Sequence, residues 1–125
     1  MPTNRETLPV LSTFPDLRIG VLGDFCLDAY WRLAGGETER SLETGKPTRA
    51  VAEQSYSLGG AGNVVSNLKA AGVGGIPVFG VIGDDLFGRE MRVLLQQTGA
   101  ATGPGLIVQT HDWDTSVYAK PHIGQ

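Results

Sequence analysis

Three short stretches of this 125-residue chain combine residue types and turn geometry in ways that can carry chemistry. The first is Gly23-Asp24-Phe25-Cys26-Leu27-Asp28. An ionised aspartate is acceptor-only, so one at the end of a strand can take two hydrogen bonds from adjacent sugar hydroxyls. Asp24 or Asp28 can also cap a turn, and spacing alone favours that plainer role. The second is Gly59-Gly60-Ala61-Gly62-Asn63, read at a helix start. Paired glycines let a backbone approach a ligand, free N–H groups of a first helical turn point outward, and Asn63 offers both donor and acceptor. A tight strand-to-helix turn accounts for the same residues equally well. The third is Gly83-Asp84-Asp85-Leu86-Phe87-Gly88. Paired carboxylates suit a cation, but a capped helix N-terminus, with Gly88 allowing close packing, is the favoured reading.

Other signals are weaker. The dinucleotide pattern G-x-G-x-x-G fails because Val65 stands where a glycine is required. Gly45-Lys46-Pro47 lacks the glycine spacing and the following Ser or Thr of a phosphate loop. His111, Asp112, Asp114 and His122 have no helical or turn spacing and read as solvated loop residues, so no metal site is expected. Cys26, among apolar neighbours, reads as a small buried residue and not as a nucleophile.

These residues need elements to position them. Leu17 to Gly23 is a short apolar run ending in glycine, which suits a buried strand, with Asp24 to Asp28 at its C-terminal end, where open α/β sheets place ligands. Residues 29–58 are polar and turn-rich with partial alternation, and predict an excursion of one or two exposed strands. Ala61, Val64, Val65, Leu68 and Ala71 follow helical spacing up to a stop at Gly72. Ile76 to Ile82 predicts a second core strand. Phe87, Met91, Leu94 and Leu95 give a second helix its apolar face, ended by Gly99. Leu106 to Val108 and Ser116 to Ala119 predict short strands. Residues 1–16 contain three prolines, lack periodicity and read as a loose leader. The order predicts an α/β fold with parallel pairing.

Bulk composition narrows the classes. A net charge of −3 implies no basic face, and aromatics are only 7% of residues. Both argue against nucleic acid or an anionic membrane as partner. One cysteine excludes an internal disulfide framework and fits a cytoplasmic location. Glycine is the outlier at 18 residues, well above the usual ~7%.

Taken together and in order, the three stretches resemble the PfkB/ribokinase family of carbohydrate kinases. Gly23-Asp24 through Asp28 resembles the end of the family's first strand, Gly59-Gly60 to Asn63 its sugar-binding signature, and Val81 to Gly88 its Val-Gly-x-Asp-x-x-Gly block. The resemblance covers roughly residues 17–120. It implies the N-terminal part of a ribokinase-like three-layer fold, with residues 29–58 as a small β lid. It further implies that Asp24, Asp28, Gly59, Gly60 and Asn63 face a sugar or sugar phosphate, and that lid strands can pair between subunits into a homodimer. Gly23-Asp24-x-x-Leu27-Asp28-x-Tyr30 resembles the kinase domain of bacterial heptose-phosphate synthesis enzymes, although Glu43-Thr44-Gly45 replaces their Ser-Pro-Glu element. Two further departures are Val65, where the signature has a small residue, and an apparent insertion at Gly74-Gly75.

The family's second half supplies a Gly-Ala-Gly-Asp motif with the catalytic base, the ATP site and the groups that hold Mg²⁺. No such motif occurs here; Gly60-Ala61-Gly62-Asn63 ends in an amide, which cannot act as a base. The expectation is therefore an interrupted sugar kinase whose 125 residues hold no catalytic residue, bind neither ATP nor Mg²⁺ alone, and phosphorylate nothing. A standalone, non-catalytic sugar-binding or dimerisation module is the alternative. An unrelated small α/β protein whose glycines serve only turns comes third.

Overall fold

The computed structural model describes residues 9–124. Its strands are β1 (Val21–Leu22), β2 (Phe25–Leu33), β3 (Glu39–Arg40), β4 (Pro47–Thr48), β5 (Val51–Gly60), β6 (Val78–Gly83), β7 (Leu106–Gln109) and β8 (Ser116–Ile123). Its main helices are α1 (Ala61–Ala70) and α2 (Leu86–Gln97). The strands form two three-stranded sheets, β1-β6-β7 and β5-β2-β8, and a small β3-β4 hairpin.

The core sheet is wholly parallel, as apolar strands separated by helical crossovers require. β1 is short only in its formal pairing. Ile19, Val21 and Gly23 donate in turn to the carbonyls of Gly75, Pro77 and Phe79, but Pro77 has no N–H to return a bond. Both helices cover one face of this sheet: Val65, Met91 and Leu95 are fully buried with Val21, Val78, Ile82 and Leu106. The opposite face carries Leu22 and Phe79, paired in register, and Ile107, all exposed. Each helix ends as the glycine stops predict. The Val73 N–H reaches back to Leu68 and the Ala100 N–H to Leu95, closing both C-termini past Gly72 and Gly99.

The β5-β2-β8 sheet, called the lid sheet below only for its position in the chain, is wider than the excursion expected over residues 29–58. It begins at Phe25, not residue 29, and runs to Gly60. Asp28 therefore sits inside a nine-residue strand instead of in a turn. Phe25, Leu27 and Ala29 alternate into the core, and buried Cys26 on the other face disguises that period in the sequence. The stretch read as Ser116 to Ala119 extends to Ile123 and joins the lid in parallel with β2. Val64, assigned to a helix's buried face, is half exposed beside the open edge of β1.

Of the segment read as a loose leader, residues 1–8 lie outside the described residues. Its end is tied down. Phe14–Asp16 form a 3-10 turn, and the Gly74 and Gly75 N–H groups donate to the carbonyls of Phe14 and Leu17. A Cβ at Gly74 would collide with the Pro15 carbonyl, so the apparent insertion at Gly74-Gly75 is where this turn docks.

Candidate functional site

The site is the polar face of the lid sheet where it meets the core sheet. Along β2, Cys26, Asp28, Tyr30 and Arg32 share one face. Their register partners are Gly59, Ser57, Ser55 and Glu53 on β5, and Ser116, Tyr118, Lys120 and His122 on β8. A cleft of about 540 Å³ opens at the inner end, lined by Asp24, Cys26, Asp28, Gly59, Gly60, Ser116, Tyr118 and Lys120. That volume is in the range of small-molecule sites.

Four of the five sequence-predicted residues meet there: Asp24, Asp28, Gly59 and Gly60. Gly59 leaves the floor open, since a Cβ would stand 2.8 Å from Cys26 Sγ and 3.6 Å from Asp28 Cγ. Gly60 has φ +51° and ψ −126°, a conformation that side chains disfavour. A Cβ there would also meet the Asp24 carbonyl oxygen at 2.5 Å. That carbonyl accepts the Ala61 N–H at 2.9 Å. One N–H expected to be free for a ligand is thus spent on joining α1 to the Asp24 turn.

The fifth, Asn63, does not line this cleft; it lines a neighbouring depression. Gly62 packs against Leu58 of β5, and the next residue, about 100° further round the helix, faces Tyr56, Leu58 and Leu94 in a separate depression.

Lys120, Tyr118 and Ser116 complete the cleft, and they belong to no sequence motif. Lys120 Nζ lies 2.9 Å from Asp28 Oδ1, donates to Tyr30 Oη at 3.2 Å and stands 4.6 Å from the Tyr30 ring centroid. The hydrogen bond to Asp28, then that to Tyr30, raises the Lys120 ammonium above its ordinary value. An ammonium has three donors, so one remains after these two. Asp28 keeps Oδ2 outside the ion pair. Burial, then the Asp28 and Asp24 carboxylates, push the Cys26 thiol up, which keeps it protonated and unreactive at neutral pH. The only available signal for β8 was its alternation of Ser116, Tyr118, Lys120 and His122.

The third predicted stretch is structural. Asp85 caps α2 by accepting the Gly88 N–H at 2.7 Å on Oδ1. Its Oδ2 accepts the Thr115 N–H at 2.7 Å, and the buried Thr115 hydroxyl accepts the Gly83 N–H at 2.9 Å. Partial burial pushes the Asp85 carboxyl up. Hydrogen bonds from the Thr115 and Gly88 N–H groups, with smaller ones from the Thr115 hydroxyl and the Phe87 N–H, outweigh it and hold the carboxyl below its usual value. Thr115 directly precedes β8, so this knot fixes the root of the strand that carries Lys120. Asp84 is exposed and pairs with Arg89 at 3.5 Å. Among the described residues, no group of three or more His, Cys, Asp or Glu gathers in a metal-binding arrangement, and no helix is long and apolar enough to cross a membrane.

The fold and this cleft define the class. A carbohydrate kinase from Agrobacterium tumefaciens superposes with a TM-score of 0.61 at 19% identity, over 85% of this chain and 31% of that one. Ribokinase from Cryptococcus neoformans in complex with ADP gives 0.58 at 24% identity, over 83% and 30%. The chain has the N-terminal portion of a ribokinase-like α/β fold. By sequence it is similar to the bifunctional protein HldE of Hydrogenovibrio crunogenus, 37% identical over 89 residues, which are 71% of this chain and 18% of that protein. It is likewise similar to D-beta-D-heptose 7-phosphate kinase of Bordetella bronchiseptica, 37% identical over 86 residues, 68% of this chain and 26% of that enzyme. The chain is thus a relative of the PfkB/ribokinase-type sugar kinases and matches their N-terminal portion. It spans about a fifth to a quarter of the length of these curated relatives. No family model matches it.

Proposed function

We propose that this chain forms the sugar-binding part of an ATP-dependent carbohydrate kinase, with heptose phosphate as the leading substrate. The observation that carries this reading is Asp28 on the cleft wall, held by Lys120 at 2.9 Å with its second oxygen outside the pair, above a floor kept open by Gly59. An ionised carboxylate fixed in this way accepts hydrogen bonds from adjacent sugar hydroxyls. Asp24 and the Gly59-Gly60 backbone form the remaining contacts.

In the complete enzyme ATP supplies the phosphoryl group and Mg²⁺ neutralises its charge. Within these residues the donor set does not fit either group. The one cation lining the cleft is engaged by Asp28, and the Gly60-Ala61-Gly62 turn already spends its first N–H on Asp24. The uncovered face of the core sheet, with Leu22, Phe79 and Ile107, is the surface on which a nucleotide-binding half would sit. These 125 residues therefore bind sugar without phosphorylating it. The same reading places the protein in the cytoplasm, as a homodimer joined through the lids.

The test is a calorimetric titration of the chain with heptose, beside its Asp28→Asn variant. We expect saturable binding, weakened about tenfold or more in the variant, a loss of charge-assisted hydrogen bonding. Equal affinity in the two proteins, or phosphorylation of heptose by the chain with ATP, would refute it.

A further inference from the structure

β8 is an edge strand of the lid sheet, with β2 on one side. None of its residues is fully buried, and Val117 alone among them packs on the core. A strand that buries so little takes little register information from packing. A slip of one residue turns every side chain of a strand to the other face. Here it would carry Ser116, Tyr118 and Lys120 out of the cleft and bring Val117, Ala119 and Pro121 in their place. The register has to be fixed from outside the strand.

The Asp85–Thr115 knot lies one residue before β8. The segment from Trp113 to Thr115 passes between the end of β6 and the first turn of α2, and two glycines make room for it. A Cβ at Gly83 would stand 2.7 Å from the Trp113 carbonyl oxygen and 3.0 Å from the Thr115 nitrogen, and one at Gly88 would stand 2.9 Å from Thr115 Oγ1. Asp85 spans the passage, with Oδ1 on the Gly88 N–H of the helix and Oδ2 on the Thr115 N–H of the arriving chain, each at 2.7 Å. A helix cap needs one side-chain oxygen. The second oxygen, and the buried Thr115 hydroxyl that accepts the Gly83 N–H at 2.9 Å, do nothing for α2. Both land on Thr115, the residue that hands the chain to Ser116.

We propose that Asp85 and Thr115 are positioning residues of the cleft, which lock β8 in the register that brings Lys120 Nζ to 2.9 Å from Asp28. Neither lines the cleft; they act through β8 on Ser116, Tyr118 and Lys120. This rests on the sugar-cleft reading above for its ligand and adds to it a control point on the core side of the molecule. The knot belongs to both sheets, so a change made there reaches binding as well as stability.

The test compares the 125-residue chain with its Asp85→Ser variant by amide hydrogen exchange and by calorimetric titration with heptose. Serine caps a helix about as well as aspartate but has one short oxygen, so the cap on α2 stays and the bond to Thr115 goes. We expect the β8 amides to exchange about tenfold or more faster, those of α2 and β6 to stay within about twofold, and heptose affinity to fall about fivefold or more. A role confined to capping would speed exchange in α2 and spare β8. Thr115→Val, which loses the hydroxyl, is expected to give the same pattern, and Thr115→Ser, which keeps it, to restore both readouts to within about twofold. Unchanged β8 exchange in the folded Asp85→Ser variant, or faster exchange with heptose affinity intact, overturns the proposal and leaves the sugar cleft standing. Absence of heptose binding in the wild-type chain overturns the sugar-cleft reading, and the register lock then stands or falls on the exchange rates alone. If Asp85→Ser fails to fold, the two Thr115 variants decide by the same criteria.

Discussion

The two three-stranded sheets are built on different terms. In the core sheet, short apolar strands are ordered by what packs on them. Val78 and Ile82 are fully buried, and the polar groups at the sheet's end are spent on one another in the Asp85–Thr115 knot. In the lid sheet, long strands put an apolar face inward only at their roots, through Phe25, Leu27 and Leu58, and present a polar face for most of their length. The core sheet supplies rigidity and one edge of the cleft, at Asp24. The lid sheet supplies nearly all the side chains that could touch a ligand. Damage to the first should read out as lost stability, and damage to the second as lost binding or assembly.

The largest expected effect is at Gly88. A Cβ there would run into the Gly83 carbonyl oxygen and stand 2.9 Å from Thr115 Oγ1, and neither the backbone nor the buried hydroxyl has room to yield. Gly88→Val should cost about 3 kcal/mol or more, measured by urea denaturation. A loss under about 1 kcal/mol would show that the knot can open without harm.

Asp85→Ala comes next. It removes the α2 cap and the Thr115 contact, and we expect a loss of about 2–3 kcal/mol. This contribution also has a pH signature. The folded carboxyl lies below its unfolded value of about 3.9. The stabilisation is therefore complete above that value and lost as pH falls through the folded one. Wild-type stability should drop over this acid window more steeply than that of Asp85→Ala. Parallel acid profiles would assign the drop to other carboxylates.

How much of this was legible follows the same division. The core sheet and both helices announce themselves through local apolar period and glycine stops, because each segment's burial is decided within the segment. The lid did not. Its inner half is read as turn because buried Cys26 interrupts the alternation of Phe25, Leu27 and Ala29. Lys120 could not be found from sequence because its meaning depends on a pairing ninety residues away, between β2 and β8. Which depression Asn63 lines is a matter of helical phase: its position beside the glycines is local, but the side it faces depends on how Gly62 seats against Leu58.

The smallest effect on stability, and the one that most sharpens the comparison, lies at the outer tip of the lid's apolar face. Val51, Leu33 and Ile123 stand in one row across β5, β2 and β8, with Val51 45% and Ile123 60% exposed. A row of this kind at the end of a sheet has nothing to pack on among the described residues, whereas the equivalent residues at the roots are buried. The proposed lid-to-lid homodimer would cover it. Ile123→Lys should leave the urea midpoint nearly unchanged, within about 0.5 kcal/mol for a surface site, and should shift the sedimentation of the chain from dimer to monomer. A wild-type chain that sediments as a monomer, or a variant that remains dimeric, would remove the lid from the interface.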